Sequence, residues 1–159
     1  MNFRIGFGVD IHQLAEGRDL FIGGVKLESS FGAVGHSDAD VLLHAICDAI
    51  LGAANLRDIG YHFSDTDPKY KGINSQILLK ESFELVKAKG YLIGNIDSTV
   101  LLENPKVNPH IEAMQKIIAD LLEVDLDAIS IKATRGEKMG YIGHGDGIQA
   151  YCNALIYKK

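Results

Sequence analysis

The sequence predicts an α+β fold in a single domain over residues 1–159: a mixed β-sheet with helices packed against one face, the other face free to meet another subunit. Strict apolar alternation marks strands toward both ends of the chain. Apolar spacings of three and four residues mark helices between them, and 159 residues support one compact core.

The first strand is FRIGFGVDIH, with Phe3, Ile5, Phe7, Val9 and Ile11 on one face and Arg4, Gly6, Gly8, Asp10 and His12 on the other. In LFIGGVKLE, apolar flanks surround Gly23-Gly24, a two-residue hairpin signal because both glycines accept positive φ. The period then changes: Ser37 reads as an N-cap with Asp40 three residues on, ahead of a helical face of Val41, Leu42, Ala45, Ile46, Ala49 and Ile50. A second helix starts at Asn74 or Ser75, uses Ile77, Leu78, Phe83, Leu85 and Val86, and stops at Gly90. YLIGNIDSTVLLE is strand-like. Pro109 opens a third helix whose Ile111, Met114, Ile117, Ile118, Leu121 and Leu122 share a face. ISIKAT reads as a short strand, and GIQAYCNALIY turns Ile148, Ala150, Cys152, Ala154 and Ile156 to one side.

Apolar residues at 47% against 23% charged give the balance of a water-soluble globular protein. The apolar runs break well before bilayer length, and Met1 leads into NFRIGFG without a targeting pattern, so a cytoplasmic location is expected. A net charge of −5 argues against nucleic acid and anionic membrane as partners, and makes any anionic ligand dependent on local positive charge or metal. Cys47 and Cys152 form no CxxC pair and read as buried free thiols.

Residues two apart in a strand point the same way, so Asp10 and His12 project side by side. His44, about two turns into the following helix, offers a third ligand from a rigid element, and Gly6, Gly8 and Gly35 allow close backbone approach. Two imidazoles and a carboxylate suit Zn2+ with a fourth position left open, and equally the iron of oxygenases that use the same donor set. Any one of these histidines, taken alone, reads as a hydrogen-bonded structural residue. His36 and Ser37 sit just ahead of the helix, where free N–H groups favour an anion, although capping alone explains Ser37. Asp38 and Asp40 read either as first-turn acids or, for Asp40, as a partner of a ligating imidazole.

Asp58 to Gly72 is an aperiodic stretch that reads as a lid or as a solvated connector. ENPKVNPH stiffens the backbone around Lys106 between two prolines. KATRGEKMG follows a strand and clusters Lys132, Arg135 and Lys138, which suits a phosphate cradle or a solvated turn.

Together, GFGVDIHQ, GHSDADVLLHAICDAILGAANLRDIG, FSDTDP, ENPK and KATRGEKMG, in this order from Arg4 to about Ile156, closely resemble the 2-C-methyl-D-erythritol 2,4-cyclodiphosphate synthase family of the non-mevalonate isoprenoid pathway. The resemblance implies a phosphorus–oxygen lyase that cyclises a small cytidine diphosphate substrate and releases CMP. It implies a homotrimer whose sheets face one another, with active sites between subunits, each holding one Zn2+ and a second divalent cation, Mg2+ or Mn2+. By matching motif, Asp10, His12 and His44 are the implied zinc ligands and Glu137 the ligand of the second cation. His36 and Ser37 meet the phosphates, with His36 and Arg135 in catalytic roles. Asp58, Ile59 and Gly60 hold the erythritol part, over which Phe63, Ser64, Asp65, Thr66 and Asp67 close. Leu102 to Asn108, including Lys106, form the cytidine pocket with Ala133 and Thr134, and Tyr141 and His144 complete the implied ligand contacts. Two residues depart from the family pattern. Arg135 replaces a threonine expected to meet a phosphate, and His144 replaces an arginine facing the trimer's central cavity, where relatives take up isoprenoid diphosphates.

Overall fold

The computed structural model describes residues 2–64 and 66–158. Five strands form one sheet: β1 (Phe3–Glu16), β4 (Phe31–Ala33), β5 (Leu92–Leu101), β6 (Ile129–Thr134) and β7 (Gly147–Tyr157), in the order β4-β1-β7-β5-β6. β5 and β6 run parallel and the other pairs antiparallel, so the sheet is mixed, as the sequence predicts. β2 (Leu20–Ile22) and β3 (Val25–Leu27) make a separate hairpin around Gly23 and Gly24, both with positive φ.

Helix α1 (Val41–Ala53) lies across β1 and β7, while α3 (Ser75–Ala88) packs on α1, and α4 (Ile111–Leu122) reaches both α3 and β6. Val41, Leu42, Leu43, Ile46, Cys47, Ile50 and Leu51 of α1 are all buried, so this helix is the centre of the core. Each such aliphatic side chain contributes about 1.5–3 kcal/mol of burial free energy. Both cysteines are buried free thiols, and burial pushes their pKa values up.

The bulky side chains of β1 point away from the helices: Ile5 is 70% and Phe7 60% exposed, whereas Gly6 and Gly8 are buried. The close approach of α1 explains this orientation. A Cβ on Gly6 would lie 1.8 Å from the Ala49 carbonyl oxygen, and one on Gly8 would lie 2.0 Å from that of Ala45.

The start of α1 departs from the expected cap. Asp40, not Ser37, is the N-cap, and it accepts the Leu43 N–H. Ser37 instead accepts the Ala39 N–H in a local turn, with Ala39 at φ 56°. Nor does Asp40 touch an imidazole: its carboxylate accepts the Gly23 and Gly24 N–H groups at 2.9 and 2.7 Å, tying the hairpin tip to the helix start. Complete burial raises its pKa, although the backbone donors at Gly24, Leu43 and Gly23 work the other way.

The stretch from Asp58 to Gly72 is less irregular than its sequence suggests. It contains α2 (Ile59–His62), capped by Asp58, and a 3-10 turn at Pro68–Tyr70, capped by Asp67. A last short helix, α5 (Gly140–Gly143), precedes β7.

Candidate metal centre and substrate pocket

β1 directs Asp10 and His12 to the same side, and α1 brings His44 over them. His12 Nε2 and His44 Nδ1 lie 2.9 and 3.0 Å from Asp10 Oδ2 and 3.3 Å from each other. His12 Nδ1 is 3.0 Å from the Val34 carbonyl, which can only accept, so Nδ1 carries the hydrogen and Nε2 is left as the free lone-pair donor. A tetrahedral ion with bonds of about 2.05 Å separates its donors by roughly 3.3 Å, which these spacings accommodate. The donor set also calls for positive charge, because lone pairs aimed at one point repel unless a cation lies among them. Burial opposes ionisation of Asp10, but the two imidazoles of His12 and His44 beside it outweigh that, holding its carboxyl well below the usual range. For His12, burial works against the imidazolium, yet Asp10 and the Val34 carbonyl raise its pKa.

Beside the three donors lies a cavity of about 430 Å3, lined in part by His36, Ser37, Ile59, Gly60 and Phe63. His36 Nε2 donates to the Asp67 carbonyl at 3.3 Å, linking the first wall to the 58–72 stretch. Asp48, one turn beyond His44 on α1, accepts the Ile59 N–H at 2.8 Å and so fixes the Asp58–Gly60 turn next to the donors. Burial raises the Asp48 pKa. Asp58 accepts the Tyr61 N–H, and Ser64 and Thr66 share a hydroxyl–hydroxyl hydrogen bond at 2.8 Å. The Asp65 assignment lies outside the described residues.

The remaining residues implied by resemblance gather at the ends of β5 and β6. The Leu102 N–H donates to the Thr134 carbonyl at 3.1 Å, joining the segment after β5 to the end of β6 beside Ala133. Arg135, assigned a catalytic role from the sequence, lies against Glu103. Its Nε donates to the Glu103 carbonyl and its Nη2 to Glu103 Oε1 at 3.1 and 2.9 Å, while the Gly136 N–H donates to Glu103 Oε2 at 3.0 Å. Lys106 and Glu137 are exposed, and Glu137 has φ 51°. Tyr141 donates its hydroxyl to Gln149, and exposed His144 borders a hollow with Glu103 and Asn104.

These residues do not line the cavity at Asp10, His12 and His44. The register aligns Asp10 with Ala150, Ala150 with Val100 and Val100 with Ala133, so the two groups stand three strand spacings apart, roughly 14 Å. A larger hollow of about 710 Å3 near Leu92, Asp120 and Tyr157 holds no comparable cluster of His and carboxylate donors among the described residues.

Sequence reasoning missed Ser75, whose hydroxyl meets His44 Nε2 at 2.9 Å, and the hold of Glu103, within the implied Leu102–Asn108 pocket, on the Arg135 turn. Ser75 signals only a helix start in the sequence, and nothing near Glu103 in the chain points to Arg135 as its partner. The histidine and acid content of GHSDADVLLH points to the region, though not to these partners.

Fold and site together define an α+β protein with a three-donor site suited to a divalent cation, open to a pocket. The profile of the YgbB family matches residues 3–157, and the chain belongs to that family. It is 59% identical over 154 residues to the 2-C-methyl-D-erythritol 2,4-cyclodiphosphate synthase of Porphyromonas gingivalis, covering 97% of this chain and 95% of that one. A synthase structure in its CDP-bound form superposes with a TM-score of 0.89 at 36% identity, covering 96% of this chain and 99% of the other. The bifunctional IspDF protein of Campylobacter jejuni superposes with a TM-score of 0.95 at 40% identity over 99% of this chain, which spans 42% of that longer protein. No helix among the described residues is long and apolar enough to cross a membrane.

Proposed function

We propose that the chain carries out the reaction for which its relatives are named, converting 4-diphosphocytidyl-2-C-methyl-D-erythritol 2-phosphate to the 2,4-cyclodiphosphate with release of CMP. The observation that carries this reading is the convergence of Asp10, His12 and His44 beside His36 and Ser37, on a chain closely related to named synthases over nearly its whole length.

An oxygen of the 2-phosphate forms a bond to the β-phosphorus, and the bond from that phosphorus to the oxygen bridging to the α-phosphate breaks, so CMP leaves with the electron pair. The nucleophile is already anionic, and no base has to remove a proton. The physical task is to bring two negative groups together and to fold a flexible substrate. A Zn2+ on Asp10, His12 and His44, and an Mg2+ or Mn2+ at Glu137, would supply the charge neutralisation that this acidic chain lacks. Ser37 offers a hydrogen-bond donor on the cavity wall, beside the His36 ring, where negative charge develops. Asp58, Gly60 and Phe63 hold the erythritol, and Leu102, Lys106, Ala133 and Thr134 the cytidine. Fixing both ends before reaction removes rotational freedom, an effect worth roughly 7–11 kcal/mol at best.

The assembly in this reading is a homotrimer with sites between subunits. The uncovered Ile5 and Phe7 face of the sheet supports it, as does the separation of the two groups of site residues. The test is to incubate the metal-loaded protein with substrate and follow CMP and cyclic product by 31P NMR. Formation of both in equal amounts is expected. Neither product, from folded and metal-loaded protein, overturns the proposal.

A further inference from the structure

We infer that Asp38 and Ser75 form a proton-directing pair that keeps the hydrogen of His44 on Nε2 and turns the lone pair of Nδ1 toward Asp10. The inference rests on the metal-site reading above and adds two positioning residues behind it. Ser75 is fully buried and has one hydroxyl hydrogen. The Asp38 carboxylate accepts the Ser75 N–H on Oδ2 at 2.9 Å and the Ser75 hydroxyl on Oδ1, which the Asp40 N–H also approaches at 3.3 Å. With its hydrogen committed to Asp38, Ser75 Oγ meets His44 Nε2 at 2.9 Å as an acceptor. Nε2 is therefore the protonated nitrogen.

A director is needed because Asp10 Oδ2, 3.0 Å from Nδ1, would otherwise draw the hydrogen to the coordinating atom and block it. Ser37 benefits as well. Its oxygen accepts the Ala39 N–H at 3.1 Å and lies 3.1 Å from His44 Nε2, so its own hydrogen is free to point into the cavity.

The polarity of the chain supplies a test that removes no heavy atom. In Asp38→Asn, the Ser75 N–H requires the amide oxygen at the Oδ2 position, which places the NH2 against Ser75 Oγ. Ser75 must then donate to His44 Nε2, and the hydrogen of His44 moves to Nδ1. Zinc affinity is measured by chelator competition for the wild type, Ser75→Ala, Ser75→Thr and Asp38→Asn, with His44 ring protonation read by long-range 1H–15N NMR of the metal-free proteins. Ser75→Ala and Asp38→Asn are expected to bind zinc about 10–100-fold more weakly, and Ser75→Thr, which keeps the hydroxyl, within about threefold of wild type. The Nε2–H population of His44 should fall in the two weakened variants. Wild-type affinity in Ser75→Ala, or an unchanged His44 ring in both variants, overturns the inference. Failure of the metal reading shows differently: wild-type protein then takes up no zinc, or His44→Ala binds it as tightly as wild type.

Discussion

The two ends of the candidate site are built differently. Around Asp10, His12 and His44 the donors come from a strand and a helix, and each imidazole nitrogen has a partner within 3.3 Å. At the ends of β5 and β6, Arg135 and Glu137 sit on an exposed turn, tied to the segment after β5 by one buried carboxylate, Glu103, which grips Arg135 and the Gly136 N–H. The first end is organised to place charge accurately, which a metal site demands. The second is a clip between two loops, held by hydrogen bonds to a single side chain.

The sharpest way to break the contrast is His44→Ala. Loss of several kcal/mol of charge stabilisation at the reacting phosphates should lower kcat/KM on the order of 1000-fold or more, at 1.36 kcal/mol per decade. Zinc content by elemental analysis should fall with it, while circular dichroism remains folded. Phe7→Glu places a carboxylate on the uncovered sheet face and should weaken subunit association on the order of 100-fold, read by light scattering across a dilution series. Unchanged mass at the lowest concentrations would count against assembly through that face. Gly8→Ala drives a methyl group into the α1 backbone, and should cost about 1–3 kcal/mol in denaturant unfolding. Because α1 carries His44, zinc binding should weaken in parallel. Glu103→Gln should have the smallest effect, about a tenfold rise in KM with zinc content unchanged, since one charge-assisted hydrogen bond is worth about 1.5–3 kcal/mol and the guanidinium partner is 47% exposed. A loss of zinc in that variant would mean that the two ends are coupled.

What could be read from the chain follows the reach of the interactions involved. The Gly23-Gly24 turn and the shared side of Asp10 and His12 depend on backbone geometry over two residues, and both are as expected. The helix cap was misassigned because Ser37, Asp38 and Asp40 all carry capping side chains within four positions, and only the positive φ at Ala39 decides among them. Arg135 looks like a free cation in sequence, and its partner lies thirty-two residues away on another loop. Ser75 was hidden for the same reason: a hydroxyl at a helix start normally serves its own backbone, and nothing local shows that an imidazole from α1 lies against it.

Main chain resting directly on main chain, as Gly6 and Gly8 rest beneath Ala49 and Ala45, has a consequence for how this protein tolerates change. The gap between the strand that bears two donors and the helix that bears the third is set by peptide groups rather than by the girth of any residue. Elsewhere in the interior, bulk can be traded between neighbours without altering that gap, so the grip on an ion is insulated from drift in the rest of the sequence.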